Sequence, residues 1–513
     1  MILAEGWHWG PAHAGGLRLG VGGGVLHRFG GWFMRARYRT GGANAANPSA
    51  AMSFPAVGRG RYRRSPSVGA GASARSIDPL RIALFLVVFL SIGRMHQHYA
   101  ILALFRPALV LVGLATALAL LQPKYLSQAP VLKTWPAKIV AAIGAMALAS
   151  APLGISLGAS ATFILSDFSK TLLLFFLLVA ATRHARDLIA FSWAFALGCA
   201  FLVYLSLFFF QVSSFGGVGP ARLWKMYMYD ANDINSILVI GFGLVALLVQ
   251  TCTGASRYAA IILMLGIGAA TARSGSRGGF LGFVVVGAAL LVTLNRVSLA
   301  KRVGFVGLVG LGLGLYAPPG YWDQMKTILT PKQDYNWFDE DGRRQIFNRG
   351  VGYMMEYPIG GLGIGNFPRA ECTISSKAEN HAINTGLTCT APHNTYLQIG
   401  AELGIPGLIL WLVMIFGGIV KLRTLAKRLP RNWESGDSEA RFLFHAPRYL
   451  TVCLTGFAVT SFFVSHAYLD PVYLLMALMA GTYTAAAERI RRERPGTVQA
   501  QLTMRPATTP TCH

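Results

Sequence analysis

Residues 391–407, APHNTYLQIGAELGIPG, carry the chain from a long polar loop into a strongly apolar segment, with His393 and Asn394 at the boundary. A histidine and an asparagine at the mouth of such a segment mark the place where water meets lipid. Working outward, the rest of the chain has the composition that this reading needs. Hydrophobic residues make up 53% and charged residues 13%, against roughly a quarter charged in a soluble domain. Apolar runs of about 15–25 residues recur between short basic loops, each long enough to cross ~30 Å of hydrocarbon. The expected fold class is an all-α polytopic membrane protein of about 12 transmembrane helices, with one large outer-face loop between spans 9 and 10. The net charge of +25 does not point to nucleic acid, because the basic residues cluster beside the spans, where they set orientation.

The spans read as 78–93, 104–122, 136–153, 165–182, 187–211, 231–250, 257–273, 279–295, 303–317, 394–420, 447–467 and 471–488. With both ends inside, the inner connections hold Lys124, Lys133, Lys138, Arg183, Arg186, Arg257, Arg296, Lys301 and Arg302. They continue with Lys421, Arg423, Lys427, Arg428 and Arg431 and the tail arginines from Arg489 on. The outer connections are poorer in basic residues, apart from one loop long enough to escape the positive-inside rule. The weakest stretch is 94–107, where Arg94, His96, His98 and Arg106 blur the start of the second span. Residues 1–77 are Gly-, Ala- and Arg-rich without a sustained apolar run, and read as a disordered basic tail, with Met52 as an alternative start. The expected division is 1–77 tail, 78–317 spans 1–9, 318–393 outer loop, 394–488 spans 10–12 and 489–513 cytoplasmic tail.

The long loop is nearly neutral, with eight acids against seven basic residues from about 317 to 392, and a connection of that length usually has a function. Within it, residues 341–357 read as a helix lying on the membrane surface. Asp341 is placed to cap its start, Ile346, Phe347, Val351 and Met354 or Met355 form its apolar stripe, and Pro358 and Gly360–Gly361 end it. The run GGLGIGNF at 360–367 is no dinucleotide loop, since it neither follows a strand nor opens a helix. It reads instead as a turn with exposed amides, suited to phosphate oxygens. Cys372 and Cys389 share the loop, and in an oxidising compartment they can close a disulfide, which for a loop of about 15 residues contributes roughly 3 kcal/mol. Cys199, Cys252 and Cys453 read as small buried hydrophobes.

Four outward-facing groups converge under this topology: Asp230, Asn232 and Asp233 at the start of span six; Ser276 and Arg277 in the turn before span eight; Arg343 and Arg344 on the loop helix; His393 and Asn394. Each has a bland reading. Arg277 is a snorkelling residue or a ligand-facing cation, and its flanking glycines and outer position favour the second. Asp230 and Asp233 serve as helix caps or as site carboxylates, and both can hold. Arg343 is a solvated partner of Asp339 or Glu340, or an anion ligand. Glu402 lies inside span ten, where an acid is costly unless paired and is a functional candidate by default. No acidic cluster of the kind that holds Mg²⁺ is present and no Cys/His spacing matches zinc, so no metal and no cofactor is expected.

Four stretches carry a resemblance: DANDINSILV at 230–239, SGSRGGFLG at 274–282, GRRQIFNRGVGYMMEYPIGGLGIGNF at 342–367 and HNTYLQIGAELGIPG at 393–407. In order, spacing and topology they resemble the O-antigen ligase and O-antigen polymerase superfamily of bacterial envelope enzymes, over roughly 78–488. The resemblance implies a glycosyltransferase of the bacterial inner membrane that moves a glycan from an undecaprenyl (polyprenyl) diphosphate donor to an acceptor hydroxyl on the periplasmic side. It implies that Arg277 and Arg343 hold the diphosphate, with Arg344 as an extra arginine, and that His393 is the essential histidine. Phe347 stands where a tryptophan is common. Lipopolysaccharide ligation, repeat-unit polymerisation and protein glycosylation all remain open, because donor handling is shared and the lipid or polysaccharide acceptor is not legible. A polysaccharide transporter is the rival class, but it needs midplane ionisable residues, and here they gather at one face. Membrane lipids are expected partners; nucleic acid is not.

Overall fold

The computed structural model describes residues 78–122, 133–213, 222–224, 226, 229–293, 298–330, 342–380 and 389–493. The basic N-terminal tail, Met52 and Asp341 lie outside the described residues. Asp78 opens α1 (Pro79–Gly93) by accepting the Leu80 amide, and two short turns at Met95–His98 and Ala100–Phe105 lead to α2 (Pro107–Leu121). Next come α3 (Trp135–Leu153), α4 (Leu157–Ala181) and α5 (Ala185–Phe209). A two-stranded antiparallel hairpin, β1 (Gln211–Ser213) and β2 (Arg222–Trp224), is the one sheet among the described residues. The helices α6 (Ala231–Thr251), α7 (Gly254–Arg273), α8 (Arg277–Thr293) and α9 (Leu299–Tyr316) follow.

The loop segment contributes α10 (Tyr321–Lys326), α11 (Arg343–Glu356) and α12 (Phe367–Thr373). The chain then returns through α13 (Thr395–Arg428), α14 (Ser438–Thr460) and α15 (Asp470–Glu493). Among the described residues seven helices are long and apolar enough to cross a membrane, and α1, α2 and α8 are shorter apolar helices. The protein is an all-α polytopic membrane protein with this small hairpin added.

The centre of the bundle is α6. Every residue from Ile234 to Leu248 is buried, as expected of a helix that is apolar all round. It packs on α14, α7, α8 and α5, and small residues set the closest approaches. A Cβ at Gly243 would stand 2.6 Å from the sulfur of Cys453, and one at Gly279 would stand 2.5 Å from Asn235. Cys199 and Cys453 are buried in this packing.

Three expectations change. The eleventh span ends at Thr460, not at 467, and 461–469 is a turn that folds back over the start of α13. The loop helix begins at Gly342 as its cap. Its buried stripe is Ile346, Gly350 and Tyr353, whereas Phe347 and Met355 are exposed. It packs on α13, where bare Gly350 admits Leu397 and Met354 sits against Gly400. The glycine, which leaves a groove, decides the face that a count of large apolar residues misassigns.

Candidate functional site

The run 360–367 is an internal clasp, not a cradle of exposed amides. The Leu362 amide donates to the Ala401 carbonyl at 2.8 Å, the Ile364 amide to Ser150 Oγ at 3.2 Å and the Phe367 amide to Glu402 Oε1 at 3.0 Å. The Leu362, Ile364 and Phe367 amides are thus taken up by the protein itself. Glu402, 1% exposed, thereby fastens the loop to α13 and is not brought to the boundary with His393. At the same crossing α13 is broken at Gly404 (φ 72°), and the Ile405 amide donates to the Pro358 carbonyl at 2.8 Å. Helix breaks at membrane depth need such substitutes for the lost backbone bonds.

A second clasp lies under α11. Glu371 is fully buried and takes a forked pair of bonds from Arg349, the Tyr353 hydroxyl at 2.9 Å and the Thr390 hydroxyl at 2.9 Å. Cys372 and Cys389, the neighbours of Glu371 and Thr390, are joined in a disulfide. Together these bonds fix the chain just ahead of residue 393.

His393 itself has a left-handed backbone (φ 46°), a sparse conformation for a side-chain-bearing residue. Its amide donates to Ser465 Oγ at 2.9 Å. Asn394 then caps α13, accepting the Tyr396 and Leu397 amides at 3.0 Å each. Thr395 locks both sides of the turn: its amide donates to Ser461 O at 2.7 Å, and its hydroxyl donates to Val464 O at 2.8 Å. The histidine is therefore held by the 461–466 turn, which the same turn's His466 ties to α6 through Nε2 and Asp233 Oδ1 at 3.0 Å.

The start of α6 is a network. Asp230 accepts the amides of Asn232 and Asp233 at 2.6 and 2.7 Å, and Asp233 returns a bond from the Asp230 amide at 3.1 Å. Both aspartates are thus caps. Ser276 donates to Asn232 Oδ1 at 2.7 Å and accepts the Gly279 amide at 3.0 Å, binding α8 to α6. Arg277 opens α8, with Nη1 donating to Thr327 Oγ1 at 2.8 Å, and the adjoining Gly278 packs on Phe463 of the 461–466 turn. Arg277 and His393 thus border one turn.

Electrostatics gathers a narrower set. Burial pushes the His393 imidazole below its usual value near 6.5; the Arg343 and Arg222 guanidiniums push the same way, and Asp230 and Asp233 oppose them. Arg343 is half-buried, whereas Arg344 is exposed, so the two arginines do not occupy equivalent places.

The sequence reading missed Arg222, Arg94 and His466. Arg222 sits on β2, next to Leu223, whose amide donates to Ser274 O at 3.3 Å, and its buried Nε–H has no hydrogen-bond partner among the described residues. Arg94 stacks 4.2 Å over the ring of Tyr229, beside Asp230. The available signal was an arginine on the side where basic residues are disfavoured.

Taken together, the fold is that of a helical membrane protein whose long interhelical loop is clamped against a histidine, two aspartates and several arginines at one end of the bundle. Within it, residues 259–412 match the model of the family described as O-antigen ligase. The match supports the O-antigen ligase and polymerase superfamily and spans Ser276, Arg277, Arg343, Arg344, His393, Asn394 and Glu402. Asp230, Asn232, Asp233, Arg222 and His466 lie outside it. No curated protein sequence matches the chain.

Proposed function

We propose that the protein is an O-antigen ligase-like glycosyltransferase, which moves a glycan from a polyprenyl diphosphate to a hydroxyl of lipid A-core at the periplasmic face of the inner membrane. In this reading the helices form twelve spans with both ends inside and the 318–393 loop outside. The observation that carries it is the placement of His393, kept neutral by burial and by two guanidinium groups, at the clamped end of the loop.

A neutral imidazole can accept the proton of an acceptor hydroxyl. As the hydroxyl oxygen bonds to the anomeric carbon, the bond from that carbon to the diphosphate oxygen breaks, and the lipid diphosphate leaves with the electron pair. Charge grows on that leaving group, and guanidinium forks suit it because they stay charged and bind oxygens in pairs. Arg277, Arg343 and Arg222 are assigned this role, with the expected cost of losing one about 10²–10³ in rate. Attack opposite the diphosphate inverts the anomeric centre. His393 hands its proton on to solvent. Asp233, His466, Asn232, Ser276 and Asn394 position these groups without touching substrate.

The test is transfer by purified protein from a polyprenyl diphosphate glycan to lipid A-core or to a growing polysaccharide, with and without EDTA. Product in neither case sinks the glycosyltransferase reading; product only on polysaccharide reassigns the chain to repeat-unit polymerisation. Activity lost to EDTA removes the expectation of metal independence.

A further inference from the structure

At the end of the bundle away from His393, a cavity of about 820 Å³ opens between the helices. Lys421 lines it, 28 residues beyond His393 along α13, and about 25 Å of helix separates it from the break at Gly404 at a rise of ~1.5 Å per residue. Lys133, Arg183, Arg491 and Arg492 share the lining, from the start of α3, the α4–α5 junction and the last turn of α15. Among the described residues the lining holds one carboxylate, Glu488, already bonded to Arg491 at 3.1 Å and Arg492 at 3.0 Å.

His184 also lines the cavity, with its Nε2 3.2 Å from Arg492 Nη2. Burial lowers its pKa most; Asp187 is the strongest charge acting on it and pulls the other way, with Arg186, Arg492 and Arg81 adding to the lowering. Orientation alone explains why basic residues collect at one end. It does not require four separate elements to aim them into one volume.

The surroundings say what kind of anion fits. Trp135 and Tyr483 line the same cavity, and such amphipathic rings favour the level of lipid headgroups. The Tyr483 hydroxyl donates to the Lys421 carbonyl at 2.8 Å. Along α13, Val413, Phe416 and Val420 are exposed at 43%, 51% and 61%, and their spacing makes one apolar face that leads up to Lys421. A charged cavity at the head of an exposed apolar stripe matches a molecule with a phosphate head and acyl tails. We propose that this cavity holds the phosphate headgroup of an anionic membrane phospholipid, with its acyl chains along the outer face of α13. Basic pockets between helices are established places for such headgroups.

The experiment uses the full chain in neutral detergent, with native mass spectrometry and thermal melting after addition of phosphatidylcholine, phosphatidylglycerol, diphosphatidylglycerol or inorganic diphosphate. The expected result is retention of the anionic lipids at least tenfold over phosphatidylcholine, with a raised Tm. Lys421→Gln with Arg491→Gln lowers that retention about tenfold and leaves the Tm in phosphatidylcholine unchanged. A control pair, Arg257→Gln with Arg431→Gln, removes two charges that do not line the cavity and keeps the preference. Equal retention of both lipid classes, an equal loss in the control pair, or protection by inorganic diphosphate matching that by lipid would each overturn the proposal.

Discussion

At the scale of single residues, the lowered pKa of His393 makes the clearest demand. A base works in its neutral form, so a depressed pKa extends activity downward, and the acid limb of the rate profile falls below pH 6.5. Arg222→Gln removes a cation that disfavours protonation, so the imidazole pKa rises and the acid limb moves to higher pH; a limb that stays in place detaches Arg222 from His393. His393→Gln lowers transfer by about 10²–10⁴ in protein that still inserts and melts normally, and retained activity would remove it from the mechanism. Glu402 behaves differently because its work is structural. Glu402→Gln keeps an oxygen for the Phe367 amide and keeps transfer close to the parent rate, whereas Glu402→Leu strands that amide at a cost of ~1–3 kcal/mol, read as a lower Tm. His393 and Arg343 were legible because polar groups at a lipid boundary need a reason. Arg222 was not, since only the contact of β2 with the 274–276 turn brings it near residue 393.

At the scale of elements, the loop depends on two clasps with different chemistry. Arg349→Met leaves the Glu371 carboxylate buried without its cation, which costs about 3–5 kcal/mol. The variant is expected to melt early and to be cut by protease within the loop, with transfer falling because the chain ahead of His393 loosens. A melt unchanged from the parent would mean that Glu371 finds another partner. The crossing of the loop over α13 rests on backbone rather than charge. A Cβ at Gly404 would stand 2.6 Å from Pro358 O in a residue with φ 72°, so Gly404→Ala adds backbone strain of ~1–3 kcal/mol to that clash. The helices themselves were legible from apolar run length and bounding charges. What was not legible was where they stop and turn. The stretch VTSFFVSHAYL reads as continuous membrane segment by hydropathy, yet hydrogen bonds from Thr395 to Ser461 and Val464 make it a turn, and so His466 was hidden inside an expected helix. The stripe on α11 failed similarly, because a glycine groove buries more than an exposed phenylalanine does.

At the scale of the whole molecule, the two ends of the bundle differ in kind. One end spends its polar residues on caps, clasps and a histidine; the other gathers Lys133, Arg183, Lys421, Arg491 and Arg492 around one cavity. The positive-inside rule and an anionic inner surface predict that the basic end faces in, with His393, α10 and α11 outside. That orientation can be read directly. In a background lacking Cys252 and Cys512, single cysteines replace exposed Lys326 or Met355 at the His393 end, and exposed Arg186, Arg257 or Arg428 at the other. A membrane-impermeant thiol reagent applied to intact spheroplasts should label 326 and 355 alone, and label the other three only after the membrane is opened. If 326 and 355 react on different sides, the loop does not close over His393 and the site dissolves. If both react only after opening, the bundle is inverted, and a lipid-linked glycan presented from the periplasm could not reach the arginines at all.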